Sequence, residues 1–315
     1  MVTNRLSKIS DFITTSQAVR NVVWLLIEKG LLLGSSFLFA IVLTRYWSVT
    51  QLGEYHYIIA LLALLAPFSN LGLNSLVSRE LVNRPEHTAE IIGTAIIMRL
   101  GGAFTGAVIF SILSFWLILP SLQPLFFALL SAQITHALGV IDYYFEAKVQ
   151  SKVSAIIRTT VGLGFMLLKL FFVINGANLS TVLVLTIIEW VLLAAMWLLV
   201  YQIYHRGLLH LTWNTNQARF YLRRCGWLIM SSIAAVVYLK IDQVMLGMMV
   251  SIEQVAFYSL ASRLSEVWYL VPGIVVASFY PALIKLKSSE ENGAYSTMLQ
   301  RMCDYLCWGL LLLRY

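Results

Sequence analysis

Residues 179–204, LSTVLVLTIIEWVLLAAMWLLVYQIY, decide the class of this protein. A helix needs about 20 mainly apolar residues to cross a bilayer, and this run supplies them around one acid, Glu189. Working outward, seven more segments read the same way: 22–44, 57–77, 91–119, 124–144, 155–174, 226–250 and 255–283. A ninth begins near Tyr295, but its apolar part, 305–313, is too short to cross. The chain is 59% hydrophobic and 12% charged, whereas soluble domains carry about 25% charged residues. Lipid must therefore solvate much of the exterior, and the fold class is an all-α polytopic membrane protein.

The basic residues give the orientation. The N-terminal tail holds Arg5, Lys8 and Arg20, and the second loop Arg79 and Arg84. The fourth loop holds Lys148, Lys152 and Arg158, and the sixth Arg206, Arg219, Arg223 and Arg224. The eighth holds Lys285, Lys287 and Arg301, while the odd loops offer Arg45. This bias is the positive-inside signature of a multi-pass protein with a cytoplasmic N-terminus. The net charge of +7 then faces an anionic leaflet, so membrane lipid is the expected partner and nucleic acid is not. The first twenty residues are polar and no small-residue cleavage site follows segment one, so no cleavable signal peptide is expected.

The odd loops, 119–124, 175–180 and 251–254, are too short to hold an extramembrane domain. The sixth loop is the longest and contains Thr212, Asn214, Thr215, Asn216 and Gln217. It reads as a cytoplasmic linker, residues 205–224, between a six-helix lobe at 1–204 and a partial second lobe at 225–315. A repeat supports that division. Residues 47–55, WSVTQLGEY, lie over 250–258, VSIEQVAFY, with Ser, Gln and Tyr coinciding. Six helices separate the copies, so they keep one orientation and are parallel repeats about an axis along the membrane normal. Pro67 and Pro272 interrupt segments two and eight at nearly equivalent places. By the same offset the partner of segment three ends past residue 315, so about three further helices are expected to complete a twelve-helix protein.

Ionisable residues at bilayer depth cost at least ~2.5–3.5 kcal/mol each and face the bundle interior. They are Glu28, Lys29, Arg99, Lys169, Glu189, Lys240, Asp242, Arg263 and Glu266. Arg263 and Glu266 share a helical face and can pair. Lys240 and Asp242 diverge, as do Glu28 and Lys29, so each needs a partner elsewhere. Lys169 lies near a helix end and is expected to snorkel. If Lys29, Arg99, Lys240 and Arg263 converge, they line a cavity suited to a phosphate or pyrophosphate. Glu28, Glu189, Asp242 and Glu266 are then proton sites or ion-pair partners. The alternative is that all serve as interhelical ion pairs. Gly102 and Gly106 form a GxxxG that permits close packing.

Cys225, Cys303 and Cys307 and the five histidines show no metal spacing. No nucleophile elbow, HExxH or Walker loop is present. Catalysis, a cofactor, a metal and direct ATP drive are therefore not expected.

The stretch YLKIDQVMLG at 238–247 resembles the segment-seven motif of the oligosaccharide-lipid (O-antigen, Wzx-type) flippases. So do 251–258, Ser262-Arg263-Leu264 and Pro272, and near the N-terminus 44–46, 52–55, 71–73 and 79–81. The resemblance runs from about Val22 to Leu283 within the multidrug and polysaccharide exporter superfamily. It implies two six-helix lobes around a central cavity and a bacterial inner membrane. It implies a substrate of undecaprenyl-pyrophosphate-linked oligosaccharide, moved from the cytoplasmic to the periplasmic leaflet by alternating access. A cationic cavity in such proteins fits Arg99, Lys240 and Arg263, and polymerase and chain-length machinery are the protein partners it suggests. The alternatives are a cation-coupled drug exporter, which favours an acidic centre, and a membrane glycosyl polymerase, which needs a large external loop.

Overall fold

The computed structural model describes residues 17–148, 151–205, 212–266, 296–300 and 302–304. Every regular element among them is helical. In chain order these are α1 (Gln17–Tyr46), α2 (Val49–Asn70), α3 (Asn74–Asn83), α4 (Thr88–Leu117), α5 (Gln123–Ile134), α6 (Val140–Ala147), α7 (Ser151–Ile174), α8 (Leu179–His205), α9 (Thr215–Met249) and α10 (Ile252–Glu266). Among the described residues seven stretches are long and apolar enough to cross a membrane, from Ile27–Tyr46 to Thr215–Met249. The protein is an all-α polytopic membrane protein. The chain forms two compact units: Met1–Leu33 with Ala261–Tyr315, and Gly34–Leu260.

Within Gly34–Leu260, α2 is the central element, with twelve of its 22 residues buried. It packs along α4 and α9. Helices in lipid gain no hydrophobic driving force from pairing, so close van der Waals approach has to hold them. The glycines supply it as the sequence predicts. A Cβ at Gly102 would lie 2.3 Å from the Phe68 carbonyl oxygen, and one at Gly106 would lie 2.5 Å from Leu65. Gly101 beside them faces open space. Nearer the start of α2, a Cβ at Gly247 would strike the Tyr57 ring at 2.5 Å.

The repeated segment folds the same way twice. Helix α1 ends at Tyr46 and α2 begins at Val49, while α9 ends at Met249 and α10 begins at Ile252. Both boundaries fall at the repeat offset read from the sequence. Ser48 caps α2 by accepting from the Gln51 amide at 3.2 Å, and the Gln51 side chain returns to the Ser48 amide. Ser251 accepts from the Gln254 amide at 3.4 Å in the equivalent place. A serine oxygen satisfies an orphan amide of the first helical turn, and the matching Ser and Gln of the two copies are these capping residues.

Three sequence expectations need correction. Segment two is not one helix over 57–77. The capping box starts α2 eight residues earlier, and the left-handed pair Leu71 (φ 50) and Gly72 (φ 59) ends it before α3. Segment four is broken by a 3-10 turn at Thr135–Gly139. Segment seven, expected from Gly226, is helical from Thr215, because Asn214 caps α9 through the amides of Asn216 and Gln217. Arg219, Arg223 and Arg224 therefore lie on a helix, as does Arg158. Pro272, the end of segment eight and the apolar part of the ninth segment, 305–313, lie outside the described residues.

Candidate functional site

Arg99 is the most completely enclosed cation of the described set, at 2% exposure. Its Nε donates to the Ser69 carbonyl at 2.8 Å. One terminal nitrogen donates to the His136 carbonyl at 3.0 Å and to the Asn70 side-chain oxygen. The other reaches the Tyr143 hydroxyl at 3.4 Å, and that hydroxyl donates to the Asn74 side-chain oxygen at 2.5 Å. The guanidinium carbon lies 5.9 Å from the Tyr143 ring centre. Four of its five N–H groups are thereby engaged.

The local folding explains these acceptors. The last carbonyls of a helix have no partner inside it, and the break at Leu71–Gly72 leaves those of Ser69 and its neighbours facing α4. The 3-10 turn in the next span presents the His136 carbonyl on the same side. A planar fork fixed at the right length satisfies several such oxygens at once, and the negative end of α2 favours a cation there. The His136 ring meets Trp190 edge-on at 4.9 Å, which joins this turn to α8.

Lys169 and Glu189 meet across α7 and α8 at 2.5 Å. Lys169 is buried, so the snorkelling expected from the sequence does not occur. The lysine has a carboxylate within the bundle, and reaching out to water would strand that acid. Arg158 pairs with buried Asp142 in the same manner between α7 and α6.

The remaining candidates lie on α1, α9 and α10. Lys240 is half-buried on α9, and Asp242 is exposed and accepts from the Tyr258 hydroxyl at 2.6 Å. Glu28 is buried and Lys29 exposed on α1, the divergence their adjacency requires. Arg263 is half-buried on α10. The side chain of Glu266 lies outside the described residues. Arg99 and Lys240 belong to the Gly34–Leu260 unit, and Lys29 and Arg263 to the other.

A cavity of about 250 Å³ lies at the end of the bundle that carries the odd loops. Glu54, Tyr57, Ile58, Trp116, Gly247 and Ile252 line it. Tyr57 donates its hydroxyl to the Leu117 carbonyl at 3.0 Å. Beside it the Thr50 hydroxyl donates to Glu253 at 3.1 Å. The Glu253 carboxyl is held below the usual carboxylate range by its own backbone N–H, then by the Ser251 and Thr50 hydroxyls.

Sequence reading missed several of these residues. Asp142 stands within the apolar run 124–144, and that position alone marks it as a buried acid. Asn70 and Tyr143 carry no such mark, since their role depends on Arg99 approaching from another helix. Thr50 and Glu253 lie within the repeat, which singles out the segment but not their contact.

The electrostatic outcome is uneven. Lys169 and Glu189 cancel, as do Arg158 and Asp142. Arg99 is solvated by neutral oxygens and leaves a fixed positive charge inside the bundle.

No curated protein and no solved structure matches the chain. The sequence model described as polysaccharide biosynthesis protein matches residues 18–287. With a bundle of apolar helices running through most of that match, the chain belongs to the polysaccharide biosynthesis protein family.

Proposed function

We propose that this protein flips a lipid-linked oligosaccharide, carried on undecaprenyl pyrophosphate, from the cytoplasmic to the periplasmic leaflet of a bacterial inner membrane. The observation that carries this reading is membership of a polysaccharide biosynthesis family by a chain built of membrane-spanning helices. Polysaccharide units are assembled on lipid carriers, and a multi-helix membrane protein with minimal loops is suited to moving such a carrier. The described odd-end connections support transport over polymerisation, because α1 and α2 join through two residues and α9 and α10 through another two. An enzyme acting on an external glycan would need more chain there.

Residues 1–204 form the first lobe in this reading, and 225–315 contribute to a second. The positive field of Arg99 and the ammonium of Lys240 favour a diphosphate, while exposed apolar side chains of α9 such as Trp227, Tyr238 and Met249 suit a polyprenyl chain. The N-terminus is cytoplasmic, from the distribution of basic residues.

The test is reconstitution in liposomes holding a fluorescent polyprenyl-pyrophosphate oligosaccharide. A membrane-impermeant quencher should reach the inner-leaflet pool at least tenfold faster than in empty liposomes, and Lys240→Glu should remove the gain at equal protein content. Quenching no faster than in empty liposomes overturns the reading. A reporter fused after Trp213 should read cytoplasmic, and one after Ser121 periplasmic.

A further inference from the structure

Resting on that reading and its orientation, we propose that Thr50 and Glu253 form an outer latch, the point where the two repeats touch on their shared axis and must part for substrate to leave. The argument starts from symmetry. Position 253 is the repeat equivalent of position 50, since the copies at 47–55 and 250–258 align residue by residue. Two copies related by rotation about one axis bring equivalent residues together only near that axis. The hydrogen bond from the Thr50 hydroxyl to the Glu253 carboxylate, at 3.1 Å, therefore marks where the axis passes.

The surrounding geometry makes this a closure. Both residues sit in the first turn of a helix capped in the same way, α2 by Ser48 and α10 by Ser251. The backbones approach until no side chain fits between them. A Cβ at Gly53 would lie 2.0 Å from the Ile252 carbonyl oxygen. The flanking turn is tied down as well, with the Trp47 indole N–H donating to the Ala177 carbonyl at 3.0 Å. The cavity lined by Glu54, Ile58 and Ile252 lies directly beside the contact. Glu54 lies within electrostatic reach of Glu253, so like charges oppose the closure that the Thr50 hydroxyl holds. Substrate sites in repeat-built transporters lie at the interface between repeats, which opens by rocking of one against the other.

The experiment places Thr50→Cys and Glu253→Cys in a chain whose Cys225, Cys303 and Cys307 are serine, with a protease site inserted after Trp213. Oxidation should hold the two proteolytic fragments together on a non-reducing gel. Surface glycan in a flippase-deficient cell should fall at least tenfold on oxidation and return on reduction. Failure to cross-link, or undiminished export by the cross-linked protein, overturns the latch. If the reduced protein and its parent both export nothing, the flippase reading itself fails. A transport-independent measurement separates the two. Ile58→Cys, at a site 1% exposed, should react slowly with an impermeant maleimide applied outside, and several-fold faster when Thr50→Val is added. An unchanged rate overturns the latch whatever the substrate.

Discussion

Arg99 and the Lys169–Glu189 pair are both charges withdrawn from water, and the protein solves the problem in two ways. Lys169 and Glu189 neutralise one another at 2.5 Å across two neighbouring helices. Arg99 has no acid in its hydrogen-bond set, and carbonyl, amide and hydroxyl oxygens from α2, the 3-10 turn and α6 surround it. The first solution leaves no net charge and fixes two helices to each other. The second preserves a positive field and fixes the end of a broken helix. One arrangement is structural in the narrow sense. The other leaves a positive charge uncancelled by any acid in its hydrogen-bond set.

The sharpest way to break the comparison is to remove one member of the pair. Lys169→Met or Glu189→Leu leaves a stranded charge, a change that costs about 3–5 kcal/mol in buried pairs. Each should lower thermal stability in detergent markedly, and the double variant should recover most of it. A double variant as unstable as the singles combined would show that the pair is not coupled. Next comes Arg99→Met, which strands three oxygens at ~1–3 kcal/mol each before relaxation. No second substitution at an acid should rescue it, because no acid partners it. Arg99→Lys should recover only part of the loss, since a single ammonium cannot span the fork.

A third variant distinguishes the two sites by position. Gly102→Leu forces α4 off the α2 turn that holds the Arg99 acceptors, at a cost of about 1–3 kcal/mol. Gly101→Ala meets nothing within 4 Å and should stay within about 0.5 kcal/mol of the parent. Equal effects would mean α4 does not pack on α2 through this face. The smallest change, Tyr143→Phe, removes one long contact to Arg99 and the bond to Asn74. About 1 kcal/mol is expected, with the Lys169–Glu189 pair unaffected in a double-mutant cycle.

Helix boundaries show where sequence reading succeeds and where it stops. Segment six matches α8 to within a residue, because an uninterrupted apolar run is a local property. The α2 boundaries were missed because polar Gln51, Glu54 and His56 disguise the first turns of a spanning helix, which tertiary packing buries. Asn214 stands among the polar residues of the sixth loop, and no local pattern shows that its side chain reaches Glu90 at 2.6 Å or that its amide donates to Thr94, which fixes the start of α9 on α4. The repeat was legible as a sequence match, and its two helix boundaries followed it.

What the amino-acid sequence determined by itself was the class of protein, the approximate spans and the capped turn that occurs twice. These depend on composition, on runs of apolar side chains and on a serine three residues before a glutamine, all of which act over one or two helical turns. Only the tertiary structure decided which buried charges are cancelled and which is kept. A charge is satisfied by whatever oxygen another helix turns toward it, and for Arg99 most of those oxygens come from backbone or from residues thirty or more positions away. Backbone carbonyls are present at every residue, so their choice leaves no trace in the side-chain pattern and appears only when the helices have packed.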